Sequence, residues 1–305
     1  MTSVSRTLFA VAAAALLATP VVAQELTGTL KKIKGTNTFT VGHRDVSSPF
    51  SYIDDKQKPV GFAMDICAKV VDAVKSELKL PKLDVKYAMV TSATRIPLMA
   101  NGTIDIECGS TTNNAARQEQ VWFTNTHFVT ASRYVTKKSS KIDKIDDLKG
   151  KTVVSTTGTT NIKQLNDVNT ERKLGINVVG AKDHAEAFLM VETDRAVAYV
   201  MDDILLASLV ANAKTPGDFK ISTDAFSLPE PYGIMVPRGD AAFKKVVDKA
   251  TADLYKSPEI DKLYAKWFMS PIPPKNANLN FAMSDKLKEL IKQPSDAPAE
   301  AYNRK

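Results

Sequence analysis

The chain has 305 residues, 44% hydrophobic and 25% charged, and its 41 Lys and Arg against 34 Asp and Glu give a formal charge of +7. The excess is mild and spread along the sequence with no Lys/Arg block, which argues against nucleic acid as a partner and for small anionic ligands or simple solubility. A chain of this length and apolar content exceeds one small domain and is expected to form two, each with its own core.

At the N-terminus, "MTSVSRTLFAVAAAALLATPVVAQ" places Arg6 before an apolar run from Leu8 to Ala18, with small residues at Val21 and Ala23. This is the pattern of a secretory signal peptide over residues 1–23, cut before Gln24. The apolar run is shorter than the roughly 20 residues of a membrane-spanning helix, and no later stretch approaches that length. No Cys follows the cut, so a lipid anchor is not expected. Removing Arg6 leaves 40 − 34 = +6 on the exported chain.

Beyond the leader, "TFTVGHR" reads as a β-branched, apolar strand with a polar end. "GFAMDICAKVVDAVKSEL" then sets Phe62, Ile66, Val70 and Val74 four apart on one helical face. "LDVKYAMV" and "TIDIECGS" are further strands, and "RYVTKKSSKIDKIDDLKGK" reads as a charged connector into a second series. That series holds strands "KTVVSTT", "INVVGA" and "RAVAYVMDD" and helices "HAEAFLMVETDR" and "DDILLASLVANA". "SLPEPYGIMVPRG", with prolines 229, 231 and 237 around an apolar strand, reads as a return crossing. Phe243, Val246, Val247, Ala250 and Leu254 then repeat at helical spacing, and the Pro- and Lys-rich end reads as an extended tail with one short helix. Strand–helix alternation implies an α/β fold with mostly parallel sheets covered on both faces. The expected division is lobe 1 over 24–131 and 229–275, lobe 2 over 132–228 and a tail over 276–305. Ligands of such sheets sit beyond the carboxyl ends of the strands, where the polar strand ends would collect.

The candidate chemistry is that of binding. His43, His127 and His184 are scattered and share no metal-ligand spacing with Cys or carboxylates, so no metal is expected. The patterns G-x-S-x-G, P-loop and G-x-G-x-x-G are absent, so no nucleotide or other cofactor is expected. "STTGTTN", residues 155–161, could hold an anion at a helix N-terminus or serve as an ordinary N-cap. Arg44, Arg95 and Arg117 each lie near a strand end beside hydroxyl residues, and the planar guanidinium fork binds carboxylates bidentately. One such arginine is an ordinary surface cation, whereas three together point to a dianionic ligand. Asp202 could accept from an ammonium group, with Asp203 capping the next helix. Cations, hydroxyls and one placed acid describe a pocket for an acidic amino acid. Cys67 and Cys108 could pair in an exported chain or remain buried thiols.

Several stretches together resemble the periplasmic amino-acid-binding proteins of ABC importers, and within them the glutamate/aspartate binders: "VGHRDVSSPFSYID", "TSATRIPLMANGTIDIECGSTTNNAARQ", "DLKGKTVVSTTGTT", "RAVAYVMDD" and "KWFMSPIPPKN". The resemblance implies two α/β lobes joined by two crossing strands, a periplasmic monomer, an ABC permease of the inner membrane as partner, and binding by cleft closure around residues 129–135 and 227–232. It implies that Arg117, Thr112 and Thr160 hold the ligand α-carboxylate and that Ser110 and Asp202 take the α-ammonium. Arg44, Ser92, Arg95 and His184 would meet the side-chain carboxylate. Arg44 stands where glutamine binders carry an acid, which argues for Glu or Asp over Gln. The family pattern G-x-T-x-T-x-x-R is one residue longer here, between Gly109 and Arg117, which leaves Thr111 and Thr112 as alternatives at one position. The same fold also carries exported cyclohexadienyl/arogenate dehydratase-like enzymes, for which His184 and Asp202 would be the only acid–base candidates.

Overall fold

A computed structural model describes residues 26–302, so the leader over residues 1–23 lies outside the described residues. Two five-stranded sheets form two lobes. In the first, Asp84–Met89, Thr38–His43, Ile106–Cys108, Met235–Pro237 and Val121–Phe123 lie side by side in that order. In the second the order is Asn177–Ala181, Thr152–Thr156, Ala198–Asp202, Ser132–Lys137 and Phe219–Ile221. Each sheet is parallel apart from one strand running against its neighbours, Met235–Pro237 in the first and Ser132–Lys137 in the second. Between the lobes, Phe128–Thr130 and Glu230–Tyr232 pair antiparallel outside both sheets.

The helix Phe62–Glu77 buries Phe62, Ile66, Val70 and Val74, the face its spacing selects. Each such side chain contributes about 1.5–3 kcal/mol by leaving water. Its Cys67 is joined by a disulfide to Cys108 at the end of the neighbouring strand. Phe50 sits fully buried where this helix, the crossing strands and the C-terminal helices meet, in edge contact with Phe62, Phe128, Tyr232 and Phe268. The first lobe's core therefore includes both crossing strands, and fixes the place from which they leave it.

Three expectations need correction. The start of the charged connector is a strand, Ser132–Lys137, with Tyr134, Val135 and Thr136 buried; its lysines begin only where the strand leaves the sheet. The return crossing contains two strands, because Gly233 and Ile234 separate Glu230–Tyr232 from Met235–Pro237. The C-terminal segment is packed, with a hairpin at Pro271–Ile272 and Ala277–Asn278 and helices Asp285–Lys292 and Ala299–Tyr302. Burial of Leu287, Leu290 and Ala299 explains why it does not extend into solvent. The helix Gly28–Thr36 and the strands Val121–Phe123 and Phe219–Ile221 were not anticipated, being short and weakly patterned.

Candidate ligand-binding site

Strand register delivers the candidate residues to one place. His43 stands opposite both Met89 and Cys108, so Arg44, the Val90–Ser92 segment and Gly109–Ser110 leave the first sheet side by side. In the second sheet Ser155 stands opposite Val200, and helices Thr160–Glu171, His184–Glu192 and Asp203–Ala211 begin just past the strand ends. Three helix N-termini thus point their free N–H groups and positive dipole ends at the same space. Thr159 is the N-cap of the first, its hydroxyl accepting from Ile162 N, so the capping reading of "STTGTTN" holds.

A narrow cavity between the lobes is lined by Arg44, Ser92, Arg95, Ser110, Thr112, Thr160, His184 and Asp202, together with Thr159, Asn161, Met201 and Leu205. Only about 10 Å³ of it is open to water, roughly the room for one water molecule, so the two lobes stand close together around it. Eight of the nine sequence candidates are in that lining. Arg117 lies just behind it, donating from Nη1 to Thr112 O at 2.8 Å and from Nη2 across the cleft to Gly158 O at 3.3 Å. Thr112 faces the cavity, and its hydroxyl lies 3.4 Å from that of Thr160 on the other lobe. Thr111 turns away, accepting from Arg95 Nη1 at 2.6 Å and donating to Glu107 Oε2 at 2.8 Å.

The guanidiniums are buried and incompletely satisfied. Arg44 donates from Nε to Val90 O and from Nη2 to Ser92 Oγ, while its Nη1 has no partner among the described residues. Arg95 Nε and Ser110 Oγ are likewise unpartnered. Loss of hydration, with the neighbouring charge of Arg95 adding to it, pushes Arg44 down to about 10 and Arg117 down to about 9. Burial lowers Arg95 as well, opposed by Glu107. Arg44 and Arg117 still titrate above neutral pH and stay cationic.

The acids and the imidazole are already engaged. Asp202 accepts from Asn161 Nδ2 at 2.8 Å through Oδ1 and from the Tyr232 hydroxyl through Oδ2, and burial raises it above the usual carboxylate range. His184 Nδ1 lies 2.9 Å from both Thr156 Oγ1 and Tyr199 OH. Burial and the charges of Arg44 and Arg95 hold the ring well below its ordinary value, hence neutral. Asp203 is the first helical residue rather than the N-cap, and its Oδ1 accepts from Ile204 N at 2.7 Å, satisfying a free N–H of that helix, and from Thr130 Oγ1 at 2.6 Å. Sequence reasoning missed Asn161, Glu107, Tyr199 and Tyr232. Asn161 ends "STTGTTN" and Glu107 opens "ECGSTTNN", so both were in view, but which way each side chain turns was not.

Larger hollows elsewhere, such as that lined by Trp122, Lys244 and Asp248, gather no unpartnered buried polar atoms among the described residues. Buried polar atoms without partners cost about 1–3 kcal/mol each, and three of them, Arg44 Nη1, Arg95 Nε and Ser110 Oγ, belong to residues lining this one cavity, where a ligand could supply the missing bonds.

Residues 39–270 match the family described as bacterial extracellular solute-binding proteins, family 3. The chain is 57% identical to the L-glutamate/L-aspartate-binding protein of Pseudomonas aeruginosa, over 94% of this chain and 95% of that one. It is 47% identical to the glutamate/aspartate import solute-binding protein of Escherichia coli, over 88% of each. Among solved structures, an ancestral arginine-binding protein bound to arginine superposes with a TM-score of 0.68 at 29% identity, covering 76% of this chain and 98% of that one. With the family match spanning most of its length and both lobes, the chain belongs to the family 3 bacterial extracellular solute-binding proteins.

Proposed function

We propose that this protein captures an acidic amino acid, L-glutamate or L-aspartate, between its lobes in the periplasm and presents it to the permease of an ABC importer. The observation that carries this reading is the convergence of Arg44, Arg95 and Arg117 on one small cavity, with Arg44 Nη1 and Arg95 Nε left unpartnered. In the lining itself Arg44 and Arg95 face the single acid Asp202, with Arg117, Glu107 and Glu230 behind it, and that excess of one positive charge is offset by a ligand with two carboxylates and one ammonium. Glutamate and aspartate import relatives support it.

In this reading Arg117, Thr112 and Thr160 hold the α-carboxylate, and Ser110 and Asp202 take the ammonium. Arg44, Ser92, Arg95 and His184 meet the second carboxylate. A neutral His184 whose Nδ1 accepts from Tyr199 carries its proton on Nε2 and can donate it. The chain folds as lobe 1 over 24–131 and 229–275, lobe 2 over 132–228 and a tail over 276–305. It acts as a monomer, needs no cofactor, and closes about a hinge at 129–135 and 227–232. In this reading no bond is made or broken: catalysis of the dehydratase kind would need a free acid or base, whereas Asp202 and His184 Nδ1 are engaged and His184 Nε2 is given to the second carboxylate.

The test is calorimetric titration of the chain from Gln24, unfolded and refolded to strip bound ligand, with L-glutamate and L-glutamine. Glutamate is expected to bind saturably, and Arg44→Ala to weaken it at least about 30-fold, since leaving a buried charge unpaired costs about 2–5 kcal/mol. Glutamine should lose far less. Equal binding of both ligands would overturn the charge argument, and turnover of prephenate or arogenate would favour the enzyme.

A further inference from the structure

The turn that carries Thr112 and Arg117 is poorly able to hold itself. Its helix, Ala115–Gln118, is four residues long; Asn114 is its N-cap, with Oδ1 accepting from Arg117 N at 2.9 Å, and the chain entering it is tied to the crossing strand through Asn113 N–H to Pro231 O at 2.8 Å. A helix this short has no stability of its own. It must also keep the Arg117 guanidinium buried, at the desolvation cost described above.

Beyond that tie, support comes from the far end of the chain, past residues 39–270 that match the family. Ala299 N–H donates to Asn113 O at 3.0 Å, and Asn113 Nδ2 donates back to Asp296 O at 2.8 Å. Gln118 Nε2 reaches the same carbonyl at 3.1 Å, and Ala115 N–H donates to Glu300 Oε2 at 3.0 Å. This brackets the turn on both sides of Arg117. The segment is itself moored, with Thr126 N–H bonded to Ser295 O at 2.8 Å and Lys244 Nζ 2.8 Å from Asp296 Oδ2. None of residues 295–300 lines the ligand cavity.

We propose that residues 295–300 are a positioning segment for the ligand-binding turn, holding residues 112–117 in their binding form before ligand arrives. The inference rests on the acidic-amino-acid reading for the identity of its ligand. Ordering the turn in advance matters because a site competent for only a fraction of the time binds more weakly by that fraction. If loss of the segment leaves the turn competent about one tenth of the time, the apparent Kd rises about tenfold.

The test compares the full mature chain with two variants, deletion of 295–305 and Ala299→Pro. The second removes one donor at the first position of a helix, where proline is tolerated, and serves should the deletion fail to fold. Amide hydrogen exchange and the Kd for L-glutamate are measured well below the unfolding midpoint. Exchange over 113–118 is expected to quicken at least about tenfold in the deletion, with Kd rising about tenfold, and Ala299→Pro to raise Kd about threefold. Exchange over 156–162 on the opposite lobe should not change. A Kd within about twofold of the full chain in every variant that folds overturns the proposal, whatever happens to thermal stability. A full chain that binds no glutamate refutes the ligand reading instead, and the exchange comparison still decides whether the segment holds the turn.

Discussion

Gly158 offers a direct test of whether the two lobes close on the ligand. It stands just ahead of the helix Thr160–Glu171 at φ +81°, and a Cβ built on it would lie 2.6 Å from Ala93 Cα, 2.7 Å from Ala93 N and 2.8 Å from Ser92 C, all on the opposite lobe. These are backbone atoms that cannot rotate away, and non-bonded carbons settle at about 3.5–4.0 Å, so Gly158→Ala should hold the lobes about 1 Å further apart. The contact from Arg117 Nη2 to Gly158 O, at 3.3 Å, and the Thr112–Thr160 hydroxyl pair, at 3.4 Å, would both pass out of hydrogen-bonding range. A bond from a charged donor is worth about 1.5–3 kcal/mol, so losing the first alone weakens binding about 30-fold. Alanine at a left-handed φ adds about 1–2 kcal/mol, but this falls on open and closed forms alike and appears as a lower Tm. Titration calorimetry with L-glutamate reads Kd, and small-angle scattering with and without ligand reads lobe separation. A Kd within about threefold of the parent, with the same ligand-induced compaction, would refute the reasoning.

Asp202→Asn should weaken glutamate at least about 30-fold by removing the charged partner of the ammonium group, and lower Tm somewhat, because the amide has one acceptor oxygen for the two donors, Asn161 Nδ2 and the Tyr232 hydroxyl, that Asp202 satisfies; unchanged affinity by calorimetry would remove Asp202 from the site. Burial, reinforced by Asp202, pushes Glu230 up to about 7 from 4.5. The folded chain then keeps a proton the unfolded chain has released, so this group's contribution is complete below about pH 4.5 and is lost as pH rises to about 7, a change of about 3 kcal/mol. Glu230→Gln should therefore match the parent in urea unfolding at pH 4.5 and exceed it at pH 8; parallel pH profiles would show that Glu230 ionises normally. The disulfide between Cys67 and Cys108 closes a loop with a sequence separation of 41. Loop-closure entropy gives it about 4 kcal/mol, so Cys67→Ser/Cys108→Ser should unfold at lower denaturant, and thiol counting on the unreduced parent should find none free.

Much of the site was legible before the fold. Arg44, Arg95 and Arg117 stood out because charged forks beside hydroxyls at strand ends are chemically specific, and parallel-sheet topology sends such ends to one edge. Glu107 and Tyr232 were not legible as neighbours of the site, since an acid in "TIDIECGS" and a tyrosine in "EPYGIM" look like any strand residues until the lobes are assembled. The 132–137 strand was obscured for a different reason: its buried residues run directly into lysines that face water, and local composition averages the two.

What the sequence determined by itself was periodicity and chemistry: the helix face Phe62, Ile66, Val70 and Val74, the parallel strand–helix series, and a set of side chains suited to a dianion. Those follow from nearest-neighbour geometry, which repeats every 2 or 3.6 residues. Only the tertiary structure decided that Thr112 rather than Thr111 faces the cavity, that Cys67 meets Cys108, and that residues 295–300 return to the Arg117 turn. Adjacent residues of an extended segment point opposite ways, and contacts between residues far apart in the chain depend on how whole elements pack, which no local pattern encodes.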